Sequence, residues 1–270
     1  MGEHLHPLRW GLRALVVGYV GMLVAWPLAL VVQNTFADGL HAVVATLTDP
    51  TVLHALQETA IVAVCAVVIN LVFGVGVSLL LVRCRFPGRR LLSALIDLPM
   101  AVSPVVVGLA LVLVYNGRDG WFGPTLEAHG VQVIFALPGM VMATAFVALP
   151  LVVREVVPTL EELGEDQEQA ARSLGASAVQ TFRRITLPSI KWAVLYGVVL
   201  SLARAIGEYG AVKVVSGNVV GQTQTATNAV EQQYQNFQQT SAYTIAFVLA
   251  LASVVCIVIV SALRPQEPHA

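Results

Sequence analysis

The chain has 270 residues, of which 57% are hydrophobic and 11% are charged, and its formal net charge is −1. A soluble domain carries roughly 25% charged residues, so this chain could not cover a soluble surface and is predicted to be an integral membrane protein. No cluster of Lys and Arg is large enough to indicate nucleic-acid binding. Three separated cysteines and six scattered histidines form neither a disulfide framework nor a metal-ligand pattern.

Six segments have the roughly 20 mostly apolar residues that a membrane-spanning helix needs. The first is longer than the apolar core of a signal peptide, which has roughly 7–15 residues, so we expect it to be a retained helix. The predicted fold class is an all-α integral membrane protein with six transmembrane helices. The spans lie at 11–33, 59–82, 91–115, 135–157, 192–215 and 241–263.

Basic residues predict the orientation of these spans. They precede the first span, follow the second, occupy the loop after the fourth and follow the sixth, whereas the loops of the opposite side contain only Arg118. Because cytoplasmic loops carry an excess of Lys and Arg, both termini and the loop 158–190 are expected to be cytoplasmic. The basic residues on this side are Arg9, Arg13, Arg83, Arg85, Arg89, Arg90, Arg154, Arg172, Arg183, Arg184, Lys191 and Arg264.

The third predicted span contains Pro99 and Pro104, which interrupt helical hydrogen bonding. The Ser103 hydroxyl can satisfy a carbonyl group that a proline leaves free. Two interpretations stay open for Ser103 and Pro104: a plain kink, or an element of a gate or translocation pathway.

The loop between the fourth and fifth spans is predicted to hold a short helix. Pro158 is expected to end the fourth helix, and the short helix covers 167–174, with acidic residues near its N-terminus where the helix dipole favours them. Ala170 and Ala171 keep this helix slim, so that a partner can approach its backbone. Gly175 then supplies a left-handed stop.

The spacing of this loop resembles the cytoplasmic coupling loop of ABC-importer permeases, whose pattern is E-A-A-x3-G-x9-I-x-L-P. Gln169 stands where the family has Glu, and Glu168 lies one residue earlier. In that family the short helix docks into a cleft of an ATPase, so the resemblance implies an ATPase-coupling role. The residues that match the pattern are Gln169, Ala170, Ala171, Gly175, Ile185, Leu187 and Pro188.

The fifth predicted span contains Arg204 and Glu208, and ionisable residues inside a span are functional hypotheses by default. Four residues apart on one helix, they lie on the same face and can form an intramembrane ion pair. The alternative is that they line an anion translocation pathway. Gly207 and Gly210 beside them allow another helix to approach closely.

Residues 216–240 are rich in Gln, Asn and Thr. Their amide groups would be unsatisfied in hydrocarbon, so this stretch is not expected to face lipid. It can line a cavity, cover an outer vestibule or receive a partner protein.

The run 203–212, with 97–104 and 146–155, is similar to the sulfate/thiosulfate permeases of the same superfamily, and molybdate permeases are close relatives. The resemblance covers 55–263 and implies a type I ABC importer permease fold. It also implies the domain division: 1–54 forms an N-terminal transmembrane helix and outer loop, 55–263 the permease core, and 264–270 a short cytoplasmic tail.

The resemblance implies a transport subunit rather than an enzyme, working by alternating access. Its partners would be two copies of an ABC ATPase, a second permease subunit and an outer-side sulfate-binding protein. Neither Lys191 nor Lys213 ends a P-loop, so no cofactor is expected on this chain, and ATP and Mg²⁺ belong to the partner ATPase. Two rivals stay open: a molybdate or tungstate permease, and a self-sufficient anion channel or secondary carrier that uses Arg204 and Glu208.

Overall fold

The computed structural model of the protein describes residues 5–263, and every regular element within them is helical. The predicted tail 264–270, with Arg264, lies outside the described residues. Two π turns occur, at Gly21–Ala25 and Phe182–Thr186. The α-helices are α1 Leu5–Val20, α2 Trp26–Thr35, α3 Gly39–Leu47, α4 Pro50–Arg83, α5 Arg89–Ala101, α6 Pro104–Tyr115, α7 Gly123–Ala128, α8 Leu137–Leu163, α9 Asp166–Ser173, α10 Ala178–Thr181, α11 Leu187–Ile206, α12 Gly210–Ser216, α13 Ala226–Gln235 and α14 Gln239–Leu263.

The helices of residues 5–263 agree with the predicted number of spans. A sixth crossing joins the five long ones if the bent pair of α5 and α6 forms one span. The second span starts earlier than predicted because the Asp49 side chain accepts the N–H of Thr51 at 2.8 Å and so satisfies a donor of the first turn. The five stretches long and apolar enough to cross a membrane are Trp10–Thr35, Pro50–Arg83, Leu137–Leu163, Ala178–Ile206 and Gln239–Ile259.

The span predicted over 91–115 is interrupted, as its prolines indicated, but only one of the two prolines breaks the helix. Helix α5 continues through Pro99 to Ala101, and α6 begins at Pro104, with the two helices bent by 113°. The break therefore belongs to Pro104 and not to Pro99. A residue that precedes proline is driven out of the α conformation, which is where α5 stops.

Ser103 occupies this break with an extended ψ of 134°. The prediction that its hydroxyl satisfies a freed carbonyl is wrong, because no such bond occurs among the hydrogen bonds of residues 5–263 and the side chain does not cap α6. The Ser103 carbonyl accepts the N–H groups of Val106 and Val107 instead, at 2.9 and 3.2 Å. The first turn of α6 is thus closed by backbone groups alone.

Each π turn directly precedes a helix whose second residue is proline, Pro27 in α2 and Pro188 in α11. Proline lacks an N–H, and its ring clashes with the carbonyl one turn earlier. A π turn inserts an extra residue into the helical turn, and here the N–H of Leu187 bonds to the carbonyl of Phe182. The helical stretch 178–206 is continuous for this reason, and Pro188 lies in the first turn of α11 as predicted.

Three long helices, α4, α8 and α11, form a core that meets at Val152 of α8. A Cβ on Gly74 of α4 would lie 2.9 Å from Val152 Cβ, and a Cβ on Gly197 of α11 would lie 2.9 Å from Val152 Cα. One turn away, buried Asn70 donates to Ser201 Oγ at 3.3 Å and joins α4 to α11. Small residues therefore set the distance between these helices.

The fifth predicted span, 192–215, is not one helix. Helix α11 ends at Ile206, and α12 begins at Gly210 after an interruption at 207–209. Helix α12 packs against α6, where a Cβ on Gly108 would lie 2.8 Å from the carbonyl oxygen of Ala211. The two broken helical pairs, α5–α6 and α11–α12, therefore lie side by side.

Two further segments decide what surrounds the candidate site. The prediction that Pro158 ends the fourth helix is wrong, since α8 continues to Leu163 and stops at Gly164, where φ is +63°. The polar segment 216–240 contains α13 and ends where the spanning helix α14 begins, at Gln239. The Thr59 hydroxyl of α4 accepts the N–H of Ala226 at 2.8 Å, so the start of α13 folds back onto the spanning helices.

Candidate functional site

The loop between α8 and α11 forms a short helix, as predicted, over 166–173. Gly175 has a φ of +85°, the left-handed conformation expected of it. The chain then enters α10 through a capping box, in which Ser177 Oγ accepts the N–H of Gln180 at 3.3 Å and Gln180 Oε1 accepts the N–H of Ser177 at 2.9 Å. Both ends of this part of the loop are therefore defined by local sequence.

The residues of the coupling pattern divide into exposed and internal ones. Leu174, just before the left-handed glycine, is 89% exposed. The tip of the loop thus presents an apolar side chain that nothing in residues 5–263 covers. Ala171 is buried and Ile185 is half-buried, whereas the exposed members of the pattern are Gln169, Ala170, Gly175, Leu187 and Pro188.

Glu168 is a buried charged residue of the loop. In the sequence it was only the neighbour of Gln169 and was not among the predicted coupling residues. The Glu168 side chain is 9% exposed and forms an ion pair with Arg83, whose Nε lies 3.0 Å from Glu168 Oε2. Thr186 Oγ1 donates to Glu168 Oε1 at 2.9 Å. We call Arg83, Glu168 and Thr186 the Glu168 network. Gln169 itself is exposed, and its Nε2 donates to Glu165 Oε2 at 3.4 Å.

The second group of predicted residues lies at the interruption between α11 and α12. Arg204 Nη1 lies 2.7 Å from Glu208 Oε2, so the two side chains form an ion pair. The pair joins the last turn of α11 to the interruption, and not two turns of one helix as the sequence suggested. Glu208 Oε1 also accepts the N–H of Ala211 at 2.9 Å and so satisfies a donor in the first turn of α12. The Glu208 side chain is 2% exposed, whereas that of Arg204 is 36% exposed.

The interruption of α11–α12 meets that of α5–α6. A Cβ on Gly210 would lie 3.2 Å from Pro104 Cβ, which places the start of α6 against the start of α12. Ser103 is exposed and Pro104 is half-buried. The structure thus brings Pro104 to the region of Glu208, a proximity that the linear sequence did not indicate.

Helix α13 covers this region from the other side. Thr227 Oγ1 donates to the carbonyl oxygen of Glu208 at 2.8 Å, and Lys213 of α12 forms an ion pair with Glu231 of α13. Lys213 also donates to Tyr209 Oη at 2.7 Å. Side chains of α13 therefore hold the interruption in place, and the polar composition of 216–240 was the signal for this role.

The comparisons with known proteins place the chain in a family. Residues 70–266 match the family described as binding-protein-dependent transport system inner membrane component. The sulfate transport system permease protein CysW of Synechococcus elongatus is 48% identical over 248 residues, 92% of this chain and 86% of that protein. The sulfate transport system permease protein CysT of Salmonella typhimurium is 35% identical over 248 residues, 92% of this chain and 89% of that protein.

A solved structure of a bacterial alginate ABC transporter, in complex with an alginate pentasaccharide-bound periplasmic protein, superposes with a TM-score of 0.74. Its sequence identity is 15%, and the match covers 93% of this chain and 92% of that one. At this identity the likeness concerns the fold, which is that of an ABC importer permease. The chain therefore belongs to the family of binding-protein-dependent transport system inner membrane components, multi-pass membrane proteins of ABC importers.

Proposed function

We propose that this chain is the permease subunit of an ATP-driven importer that carries sulfate or thiosulfate across the membrane by alternating access. The observation that carries the proposal is the coupling loop, whose helix α9 is tied to the spanning helices through Glu168 and yet exposes Leu174 at its tip. The anion is supported by the relatives, both of which are named sulfate permeases.

We assign ATP hydrolysis to a separate ATPase, present in two copies, on which ATP and Mg²⁺ would bind. The exposed tip of the coupling loop suits such a partner. Ala170 and Gly175 add little bulk beside Leu174, so a cleft can close around the helix. The coupling residues of the proposal are Gln169, Ala170, Ala171, Gly175, Ile185, Leu187 and Pro188.

A second permease subunit and an outer-side sulfate-binding protein complete the proposed assembly. The two relatives carry different subunit names, which supports a pair of distinct permeases. The solved ABC transporter with its periplasmic protein supports a binding protein on the outer face. The concentration of basic residues supports a cytoplasmic location for both termini and for the loop 158–190. Within the chain, 1–54 is the proposed N-terminal unit and 55–263 the permease core.

The proposed anion path passes the interruption between α11 and α12. Arg204 is 36% exposed, and one nitrogen of its guanidinium pairs with Glu208. A planar guanidinium suits an oxyanion, because it offers parallel N–H groups. Glu208 is buried and bonded to Ala211, so it orients Arg204 and does not line the path. The N-terminus of α6, at Ser103 and Pro104, adds partial positive charge to the same region.

Anion uptake tests this function. A strain without its own sulfate permeases would receive this chain with its ATPase, second permease and binding protein, and uptake of radiolabelled sulfate would be measured. We expect sulfate uptake that is inhibited by competing thiosulfate. This uptake should disappear when the ATPase is omitted. Uptake of molybdate or tungstate that sulfate does not inhibit would assign the chain to the molybdate or tungstate permeases instead. Uptake without the ATPase would identify a self-sufficient carrier.

A further inference from the structure

We propose that Glu168 is a positioning residue that fixes the coupling helix to the spanning helices, so that α9 and the cytoplasmic ends of α4, α8 and α11 move together. The inference rests on the proposed coupling function of the loop 158–190. It concerns a side chain that faces the interior of this subunit, and not the surface offered to the ATPase.

Both oxygens of the Glu168 carboxylate are engaged within the subunit. Arg83 donates to them from Nε, at 3.0 Å to Oε2, and from Nη2, at 3.3 Å to Oε1. Thr186 Oγ1 donates to Oε1 at 2.9 Å. The side chains of Arg83 and Glu168 are 13% and 9% exposed, so water competes weakly and the charge-assisted bonds are strong.

Arg83 also holds the end of α8. Its Nη1 donates to the carbonyl of Leu160 at 3.1 Å, and its Nη2 donates to the carbonyl of Gly164 at 2.7 Å. Carbonyl groups at the end of a helix lack intrahelical partners, and the guanidinium supplies them here. One side chain at the end of α4 is therefore bonded to α9 and to the end of α8.

Thr186 connects the network to α11. It is the last residue of the π turn and lies between Ile185 and Leu187 of the coupling pattern. The pattern leaves position 186 unspecified, and Glu168 immediately precedes its first position. The first and last parts of the pattern are thus joined by the hydrogen bond between Glu168 and Thr186, two residues that the pattern does not specify.

The backbone on either side of α9 explains why such an anchor is required. Gly164 before the helix and Gly175 after it have φ values of +63° and +85°, and neither would meet a neighbouring atom within 4 Å through an added Cβ. These turns have no close packing of their own. Without the Glu168 network, α9 could swing between them, and a movement imposed on Leu174 would not reach α4, α8 and α11.

Arg172 also lies near Glu168 but does not belong to the Glu168 network. Its Nη2 lies 3.9 Å from Glu168 Oε2, and its side chain is 60% exposed. A contact at this distance, made by an exposed guanidinium, contributes little to holding a helix in place. We therefore assign the anchoring to Arg83 and Thr186 and leave Arg172 outside the network.

The experiment compares Glu168→Ala with wild type in the assembled, reconstituted importer. Three quantities are measured: ATPase that co-purifies, sulfate uptake per assembled transporter, and ATP hydrolysed per sulfate. We expect normal ATPase co-purification, sulfate uptake lower by roughly tenfold or more, and more ATP hydrolysed per sulfate. Removing one partner of a buried ion pair is strongly destabilising, and a tenfold change corresponds to only a small part of that free energy. Glu168→Gln should recover part of the uptake, because its amide oxygen still accepts one donor.

Glu161→Gln is the matched control. Glu161 lies 3.6 Å from Arg89 in an ion pair whose side chains are 55% and 44% exposed, so its loss should change none of the three quantities. Thr186→Val is a milder variant that keeps the Arg83 pair, and it decides the matter if Glu168→Ala does not assemble. It should raise the ATP hydrolysed per sulfate by a smaller factor.

Two results would overturn the inference. Normal uptake and normal ATP per sulfate in the assembled variant would make the network a structural contact without a part in coupling. Loss of the ATPase from the complex would make Glu168 a docking residue. A wild-type complex that takes up no sulfate at all would refute the proposed function itself, which separates the two failures.

Discussion

Arg204 and Glu208 form an ion pair of 2.7 Å in which the carboxylate is buried and the guanidinium is partly exposed. Glu208 is held a second time by the N–H of Ala211, so the carboxylate is fixed at the start of α12. Removing Arg204 and removing Glu208 should therefore have different consequences. Loss of Arg204 strands a buried charge, whereas loss of Glu208 frees a guanidinium that already reaches solvent.

Arg204→Ala is expected to reduce the amount of subunit in the membrane more than Glu208→Ala does. Breaking a buried ion pair costs about 3–5 kcal/mol when an uncompensated charge remains. The double replacement by Ala should recover part of the abundance, because no charge is then stranded. Quantitative immunoblots of membranes measure this. Normal abundance of both single variants would contradict a structural role for the pair.

Arg204→Lys separates the pathway role from the structural one. Lysine keeps the charge that Glu208 needs but lacks the planar fork that suits an oxyanion. We expect near-normal abundance with sulfate uptake several-fold lower, roughly the loss of one charged hydrogen bond. Abundance and uptake are measured in the same membranes, and normal uptake at normal abundance would remove Arg204 from the anion path.

The coupling loop could be predicted from sequence because its features are local. A left-handed Gly175 and a proline in the first turn of α11 need only a few neighbouring residues. The Glu168 network could not be predicted, since Glu168 and Arg83 are 85 positions apart and only the packing of α4 beside α8 brings them together. Arg83 carried only a signal of orientation in the sequence.

The interruption between α11 and α12 was missed for a different reason. Residues 207–209 lie within the mostly apolar stretch 192–215, which was predicted as one span. Specific hydrogen bonds hold this interruption. The Glu208 carboxylate accepts the N–H of Ala211 in the first turn of α12, and Thr227 of α13 donates to the Glu208 carbonyl. A pattern of hydrophobic residues contains neither contact.

Gly197→Ala is expected to destabilise the three-helix core. The new Cβ would lie 2.9 Å from Val152 Cα, a backbone atom that cannot turn aside, and overpacking costs about 1–3 kcal/mol. Gly76→Ala in α4 is the matched control, because nothing lies within 4 Å of its added Cβ and alanine favours a helix. Thermal unfolding in detergent should show a lower midpoint for Gly197→Ala alone. Equal midpoints would mean that α11 can shift away from α8.

Cysteine labelling in a background without Cys65, Cys84 and Cys256 tests the proposed orientation. Ser173 and His129 are both exposed and belong to loops predicted on opposite sides. An impermeant maleimide added to intact cells or spheroplasts should label His129→Cys and leave Ser173→Cys unlabelled until the membrane is opened. The reverse pattern would place the coupling loop outside and exclude an ATPase partner there.

Gly175→Val is expected to uncouple transport while the subunit remains folded. Gly175 has a φ of +85°, a conformation that a β-branched residue adopts only with strain, whereas an added Cβ meets no neighbour within 4 Å. The damage should therefore be confined to the turn after α9 and to the direction in which Leu174 points. Gly175→Asn is the matched variant, because Asn tolerates the left-handed conformation. We expect normal membrane abundance and ATPase co-purification for both, with sulfate uptake lost in Gly175→Val and largely kept in Gly175→Asn. Full uptake by Gly175→Val would make this position a surface turn without a part in coupling.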